Sequence, residues 1–309
     1  MADAYAKNSR RTLIMVRTLL FICHTLQSRR LPVLAIKGPV LAVQAYNDMN
    51  SRNFTDLDVL VHAKDLAAVC RQLTGMHFLP MQRFSAQTLC HWARTGRDFT
   101  FSRERLFIDV HQRLMQGPER AFCPTVWRNA VTVRLLGHDI HTLNPVSHAL
   151  FVCWHGWNAG WLQLKMVADL AHLVGRFGPD EWQKLHQLAA RSGLLRMVGM
   201  SLELLHTLCP GEAPMPWGHA YKARAVAPLV RAVRETADSH SFNTRAVSLL
   251  DTRRLKARFV LYHLFTPGIT DMRMFAAPRR LYRLYYLIRP VRLFLVFLWR
   301  AITGKGLGR

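Results

Sequence analysis

Residues 55–61, with the sequence TDLDVLV, restrict the fold of this chain more than any other segment. Asp56 and Asp58 stand at positions i and i+2 around the start of an apolar run, and an extended strand points such residues to the same side. Both carboxylates can therefore reach one magnesium ion, which prefers oxygen ligands and commonly shares them with substrate phosphates. Two solvated turn residues beside a buried strand are the alternative explanation for this pair taken alone.

The segment before this pair predicts an anion-binding turn. A short apolar run, Val33–Ile36, is followed by Lys37, Gly38 and Pro39, which indicates a strand, a turn and a helix that begins at the proline. The free N–H groups and the positive dipole end of such a helix attract an anion. This arrangement suits a nucleoside triphosphate.

A third carboxylate, Asp109, lies inside the apolar run Leu106–His111. Burial of a carboxylate is costly unless a partner offsets its charge. A metal ion is one such partner, and an ion pair with Arg113 or Arg52 is the other. The sequence leaves both open.

The order of elements predicts strands alternating with helices in the first 140 residues, followed by a mostly helical C-terminal region. The first part is completed by a predicted helix over 64–73 and a predicted strand over 76–79. Beyond it, the predicted elements are helices, which begin near Pro145 and Glu181. We therefore expect a core with an N-terminal helix over 1–140, a helical domain over 141–250, and basic amphipathic helices over 251–309.

The positive net charge of the chain indicates an acidic partner but does not identify it. The chain has 42 Lys and Arg against 19 Asp and Glu, a formal net charge of +23. Such a surplus favours nucleotide phosphates, nucleic acid or an anionic membrane face through long-range attraction. Nucleic acid is the less favoured partner, because no RNA-binding module accompanies the core.

The C-terminal segment combines arginines with apolar and aromatic residues at helical spacing. Residues 251–309 hold 13 Lys and Arg against only Asp251 and Asp271. Binding to an anionic membrane surface is one interpretation, and a helix docked on the protein with its arginines in water is the other. The apolar run 293–299 is too short for the roughly 20 residues that span a bilayer.

The six cysteines are scattered and form no CxxC pair, which indicates a reducing compartment. We therefore expect a cytoplasmic protein, and membrane binding by the C-terminal segment would attach it to the inner membrane face.

Several segments together resemble the uncharacterised nucleotidyltransferase family, a bacterial branch of the polymerase-beta superfamily. The likeness covers most of the chain. It lies in residues 36–42 (IKGPVLA), Tyr46, residues 52–61 (RNFTDLDVLV), residues 108–111 (IDVH), His155, Gly156, Trp161, Leu164, Asp169 and residues 284–290 (LYYLIRP).

The resemblance implies an α+β fold with a core of mixed sheet and flanking helices. It also implies a metal-binding and catalytic triad of Asp56, Asp58 and Asp109, with two magnesium ions and a nucleoside triphosphate such as ATP as substrate. Further site residues implied are Lys37, Gly38, Arg52 and Thr55 for the nucleotide, and His155 and Asp169 for the acceptor. The alternatives are solvated side chains for Lys37 and Arg52, a packed histidine of a helical core for His155, and an i,i+4 ion pair with Lys165 for Asp169. The wider superfamily usually places Gly or Ser after the turn glycine, whereas this chain has Pro39. Pro supplies neither an N–H nor a hydroxyl, which leaves the phosphates to later helix amides and to cations.

The resulting functional hypothesis is transfer of a nucleoside monophosphate from a nucleoside triphosphate to a hydroxyl acceptor, with release of pyrophosphate. The alternative is a non-catalytic nucleotide-binding or membrane-associated scaffold on the same fold. Retention of three clustered aspartates argues against a pure scaffold, which has no need for them.

Overall fold

A mixed sheet of seven strands forms the centre of the described structure. The computed structural model describes residues 2–81, 92–93, 95, 98–115, 119–161, 163–209, 247–274 and 279–303. The strands are β1 (Val33–Ile36), β2 (Leu57–Val61), β3 (Leu79–Pro80), β4 (Phe99–Arg103), β5 (Leu106–His111), β6 (Val131–Leu135) and β7 (His138–Thr142).

Strand order across the sheet is β3-β4-β5-β2-β1-β7-β6. The pairs β2–β5 and β1–β7 are parallel, and the other four neighbouring pairs are antiparallel. The central position of β1 and β2 explains their composition, because a strand covered on both faces is apolar throughout apart from functional residues. All nine residues of these two strands are buried.

The two faces of the sheet belong to different apolar cores. Along β1, Val33 and Ala35 face one core, while Leu34 and Ile36 face the other, as the two-residue period of a strand requires. The first core also holds the N-terminal helix together with Met272, Tyr282 and Tyr285, and the second holds the helices between residues 145 and 208. Asp58 alternates with Leu57 and Val59, so it points toward the second core.

Helices cover both faces of the sheet and form the C-terminal part. They are α1 (Ala2–Ser28), α2 (Gly38–Tyr46), α3 (Leu66–Gly75), α4 (Glu119–Arg128), α5 (Pro145–Asn158), α6 (Leu164–Val174), α7 (Pro179–Ser192), α8 (Leu195–Leu208), α9 (Arg253–Phe265), α10 (Ile269–Met274) and α11 (Leu284–Thr303). Their ends follow from the sequence: the Asn144 side chain caps α5 by accepting from the Ser147 N–H, and Gly193 ends α7 in the left-handed conformation.

The structure confirms the predicted α+β class and shifts one strand. The strand expected over 76–79 is Leu79–Pro80, because Met76 ends α3 and the Phe78 N–H returns to the Leu73 carbonyl. Strand β7 ends at Thr142, two residues past the expected end of the core at residue 140. Residues 210–246 of the expected helical domain lie outside the described part. Among the described helices, none combines the length and the apolar character needed to cross a bilayer.

Candidate active site

Two of the three aspartates lie side by side on neighbouring strands. Asp58 on β2 is directly opposite Asp109 on β5 in the parallel register, and Ile36 of β1 is opposite Asp58 on its other side. Both carboxylates alternate with side chains of the first core, so they point to the sheet face of the second core. Asp56 precedes the strand and is half-buried, and its carboxylate accepts a 3.4 Å hydrogen bond from the Thr55 hydroxyl.

Two cations surround the buried carboxylate of Asp58. Lys37 Nζ lies 3.0 Å from Asp58 Oδ1, and His111 Nε2 lies 2.8 Å from the same oxygen. The other ring nitrogen of His111, Nδ1, lies 2.9 Å from Asp98 Oδ1. Because a carboxylate faces each ring nitrogen, both nitrogens donate, and His111 is an imidazolium.

The pKa values follow from this arrangement. Burial of the His111 ring opposes its charge, but Asp98 and Asp58 raise its pKa to about 10. Burial also opposes ionisation of Asp58, yet Lys37 and His111 hold its pKa well below the ordinary range. The pKa of Asp109 is raised by burial and by the negative charge of Asp58, and the Thr100 hydroxyl, which donates to Asp109 Oδ1 at 2.7 Å, offsets part of this rise. One carboxylate is therefore firmly charged, and its neighbour is more basic.

The turn before α2 has a backbone conformation that side chains rarely adopt. Lys37 has φ 54° and ψ −148°, and Gly38 has φ +43°. For a residue other than glycine, such a conformation costs on the order of 1–3 kcal/mol and persists only where its surroundings enforce it. The carbonyl of Lys37 accepts the N–H of Leu41, which is the first helical hydrogen bond of α2.

A chain of neutral hydrogen bonds holds this turn in place. The Lys37 N–H donates to His148 Nε2 at 3.4 Å, and His148 Nδ1 donates to the side-chain oxygen of Gln44. The Gln44 amide nitrogen donates in turn to the Leu143 carbonyl at 2.7 Å. Burial, Arg52 and Lys37 lower the pKa of His148 to about 3. The ring is therefore neutral, as an acceptor at Nε2 requires.

Arg52 and Asp169 form a second buried pair at the other side of the site. Arg52 Nε lies 2.8 Å and 3.0 Å from the two carboxylate oxygens of Asp169. The Tyr46 hydroxyl donates to Asp169 Oδ1 at 3.0 Å. Arg52, one of the two arginines considered as an ion-pair partner of Asp109, is therefore paired with Asp169. Asp109 accepts a hydrogen bond from the Thr100 hydroxyl.

All nine site residues predicted from the sequence line one cleft of about 740 Å³. They are Lys37, Gly38, Arg52, Thr55, Asp56, Asp58, Asp109, His155 and Asp169. His155 is poorly accessible, and burial together with the charge of Lys37 lowers its pKa to about 3. It can accept a hydrogen bond from a ligand hydroxyl but does not carry charge at neutral pH.

The cleft also contains charged side chains that the sequence did not single out as site residues. They are Asp98, His111, Arg113, Lys165 and Arg289. Three of them had a local signal. His111 stands two residues after Asp109 on the same face of β5, Arg113 follows two residues later, and Lys165 lies one helical turn before Asp169. Asp98 and Arg289 come from distant segments, which no spacing rule connects.

Comparison with known families decides the classification. Residues 1–210 match the family described as "Uncharacterised nucleotidyltransferase". This chain belongs to that family. The match confirms the resemblance drawn from the sequence, and it covers the sheet, the Lys37–Gly38 turn and the three aspartates of this nucleotidyltransferase family member.

One solved structure is similar over much of the chain. It is described as the crystal structure of an antigenic nucleotidyltransferase-like protein from Paracoccidioides brasiliensis, with 12% sequence identity and a TM-score of 0.41. The similarity covers 71% of this chain and 93% of that one. No curated protein matches the nucleotidyltransferase chain.

The side chains present fit a divalent metal ion of the kind this family implies. Ligand atoms of Asp58, Asp109 and His111 lie within 4.8 Å of one another. Both ring nitrogens of His111 face carboxylates, and in this arrangement the ring orients Asp58. Carboxylate oxygens of Asp58 and Asp109 are the donor type that magnesium prefers, and Asp56 lines the same cleft.

Proposed function

We propose that this chain transfers a nucleoside monophosphate from a nucleoside triphosphate to a hydroxyl-bearing acceptor. The observation that carries this proposal is the pairing of Asp58 with Asp109 on adjacent parallel strands, beside the strained turn at Lys37 and Gly38. Family membership supports a transferase in general terms, and the cleft supplies both anionic and cationic walls.

In the proposed reaction, the acceptor oxygen attacks the α-phosphorus while the bond from that phosphorus to the β-phosphate bridging oxygen breaks. The electron pair of the broken bond leaves with pyrophosphate. Asp109 accepts the hydroxyl proton, since it lies in the cleft directly beside Asp58. When bound, two magnesium ions held by Asp56, Asp58 and Asp109 would supply positive charge to the attacking and leaving oxygens.

Other residues bind and orient the substrate. The ammonium of Lys37 is close enough to Asp58 to approach phosphates held there, and the first turn of α2 adds its positive dipole end. Thr55 lines the nucleotide side beside Asp56, and Arg52 is fixed in position by Asp169. On the acceptor side, neutral His155 is available to a hydroxyl, whereas the Asp169 carboxylate is engaged by Arg52 and Tyr46 and positions Arg52.

A specific contact favours the second candidate, a non-catalytic nucleotide-binding protein. Lys37 Nζ and His111 Nε2 both pair with Asp58 Oδ1 and neutralise its charge. A chain that used Lys37 in this way permanently would bind nucleotide without magnesium. The two candidates differ in the magnesium dependence of nucleotide binding.

The test follows label from an α-phosphate-labelled nucleoside triphosphate into pooled small molecules and RNA, with magnesium present. The wild type should transfer label and release pyrophosphate, and Asp58→Asn and Asp109→Asn should each lose this activity by at least about a hundredfold. Asp139→Asn, an exposed change on β7, is the matched control and should behave as the wild type. Nucleotide binding that is equally tight with and without magnesium, and no transfer to any pool, would favour the non-catalytic candidate.

A further inference from the structure

Helix α11 (Leu284–Thr303) carries an exposed apolar stripe along its outer side. The stripe consists of Leu287, Val291, Phe294, Leu295, Leu298 and Ile302, spaced by three or four residues so that they share one helix face. Leu287 is 64% exposed, Phe294 60% and Ile302 76%. From end to end the stripe is about 22 Å long at 1.5 Å per residue.

The opposite side of α11 attaches the helix to the rest of the protein. Tyr285 is buried in the core that contains α1. Arg289 donates to the Asp271 carboxylate at 2.8 Å and to the His263 carbonyl at 2.9 Å, and Arg292 also pairs with Asp271. Because Asp271 is itself fully buried, these bonds fix which face of the helix points outward. The stripe is therefore held away from the core.

Charge around the stripe selects its partner. From residue 272 to residue 309 the sequence has nine Lys and Arg and no Asp or Glu. A second copy of this chain would bring two such segments together, each on a molecule with a net charge of +23, and repulsion would oppose that contact. An anionic lipid surface offers negative headgroups to the basic residues other than Arg289 and Arg292, which pair with Asp271, and an acyl layer to the stripe, as for amphipathic helices in a membrane interface.

We propose that α11 docks this protein on an anionic lipid bilayer, with the stripe inserted at the level of the headgroups and upper acyl chains. The helix lies in the plane of the surface and does not cross it. Trp299, half-exposed beside the stripe, is a residue type enriched at membrane interfaces. Arg289 of the same helix lines the cleft, so docking places the cleft within about one helix diameter, 10–12 Å, of the lipid surface.

The experiment is flotation of the full chain with vesicles. One set is phosphatidylcholine alone, and the other contains about one third phosphatidylglycerol, which supplies the negative surface potential. The wild type should float with the anionic vesicles and not with the neutral ones, and high salt should weaken this binding. The double variant Leu287→Glu with Phe294→Glu should lower the partition coefficient by at least about tenfold, because it removes two apolar groups from the interface.

The matched control is Leu79→Glu, which changes a side chain of similar exposure, 62%, on the edge strand β3. It adds one negative charge without touching the stripe and should float nearly as the wild type does. Circular dichroism of each variant checks that the fold is retained. Failure of the wild type to float, or equal flotation of the double variant, overturns the proposal. A concentration-dependent dimer that the double variant abolishes, without vesicle binding, assigns the stripe to self-association and also overturns it.

Discussion

Arg52 and Asp169, which are 117 residues apart in the chain, form a buried ion pair that connects the loop before β2 to helix α6. Removing one charge leaves the other buried without its partner. We expect Asp169→Asn to lower the free energy of unfolding by about 3–5 kcal/mol, measured by urea denaturation. The double variant Arg52→Met with Asp169→Leu should regain much of this loss, since no uncompensated charge then remains.

The exposed pair of Arg134 and Asp139, at 3.3 Å, is the control for this prediction. Both side chains are well solvated, so Asp139→Asn should change stability by less than about 1 kcal/mol. Equal effects at the two pairs would contradict the role assigned to burial.

Gly38 supplies a backbone conformation at the cleft. A Cβ at this position would meet only the Asp56 carbonyl, at 3.7 Å, so space does not exclude alanine. Its φ of +43° does disfavour a side chain, and Gly38→Ala should cost roughly 1–2 kcal/mol of stability. Because the turn would also move, we expect weaker nucleotide binding, measured by calorimetric titration.

Gly75, at the end of α3, gives the comparison for that change. A Cβ there meets nothing within 4 Å, and its φ is not in the left-handed region. Gly75→Ala should be neutral or stabilise slightly and should leave nucleotide affinity unchanged. A loss of affinity at Gly75 as large as at Gly38 would rule out a local effect of the turn.

Gly156 is needed for space rather than for backbone freedom. A Cβ on this residue of α5 would lie 2.5 Å from the ring of Trp161, which is itself fully buried. Gly156→Ala should therefore destabilise the protein by about 1–3 kcal/mol through overpacking. Combining it with Trp161→Leu should recover part of the loss in thermal unfolding experiments, since the smaller side chain clears the contact.

His148 makes stability depend on pH. Its pKa falls from 6.5 in the unfolded chain to about 3 in the folded one, so the unfolded state binds the proton more readily. The stabilisation is present above about pH 6.5 and is lost as the pH falls toward 3; His155, whose pKa is also lowered to about 3, acts in the same direction. The difference in urea midpoint between about pH 7 and about pH 5 should shrink in His148→Gln, which retains a donor and an acceptor but does not titrate. An unchanged difference would contradict this assignment.

The strongest local sequence signals predicted three strands correctly. Val33–Ile36, Leu57–Val61 and Leu106–His111 are strands as expected, because continuous apolar runs suit strands buried on both faces. The β6–β7 hairpin went unpredicted because its turn has a weak signal: both central residues, Leu136 and Gly137, have positive φ, and leucine rarely occupies such a position. Strand β3 shifted because backbone hydrogen bonds at the end of α3 used residues 76–78.

At the site, the family motif brought attention to residues that line one cleft, but their partners depended on tertiary structure. The pairing of Asp169 with Arg52 crosses 117 residues, and the contact of His148 with the Lys37 N–H crosses 111. No periodicity relates positions so far apart. Asp98, which lies against His111, likewise joins the site only once β4 and β5 pair.

The hydrogen-bond chain from Leu143 through Gln44 and His148 to Lys37 has a mechanical consequence. His148 belongs to α5, the first helix after the sheet, whereas Lys37 begins the turn that faces the cleft. A hinge motion about residues 143–148 would pull the imidazole from the Lys37 N–H and release the strained backbone there. The position of α5 is therefore coupled to the conformation of the Lys37–Gly38 turn. Movement of α5 away from this turn would also change the proposed phosphate site.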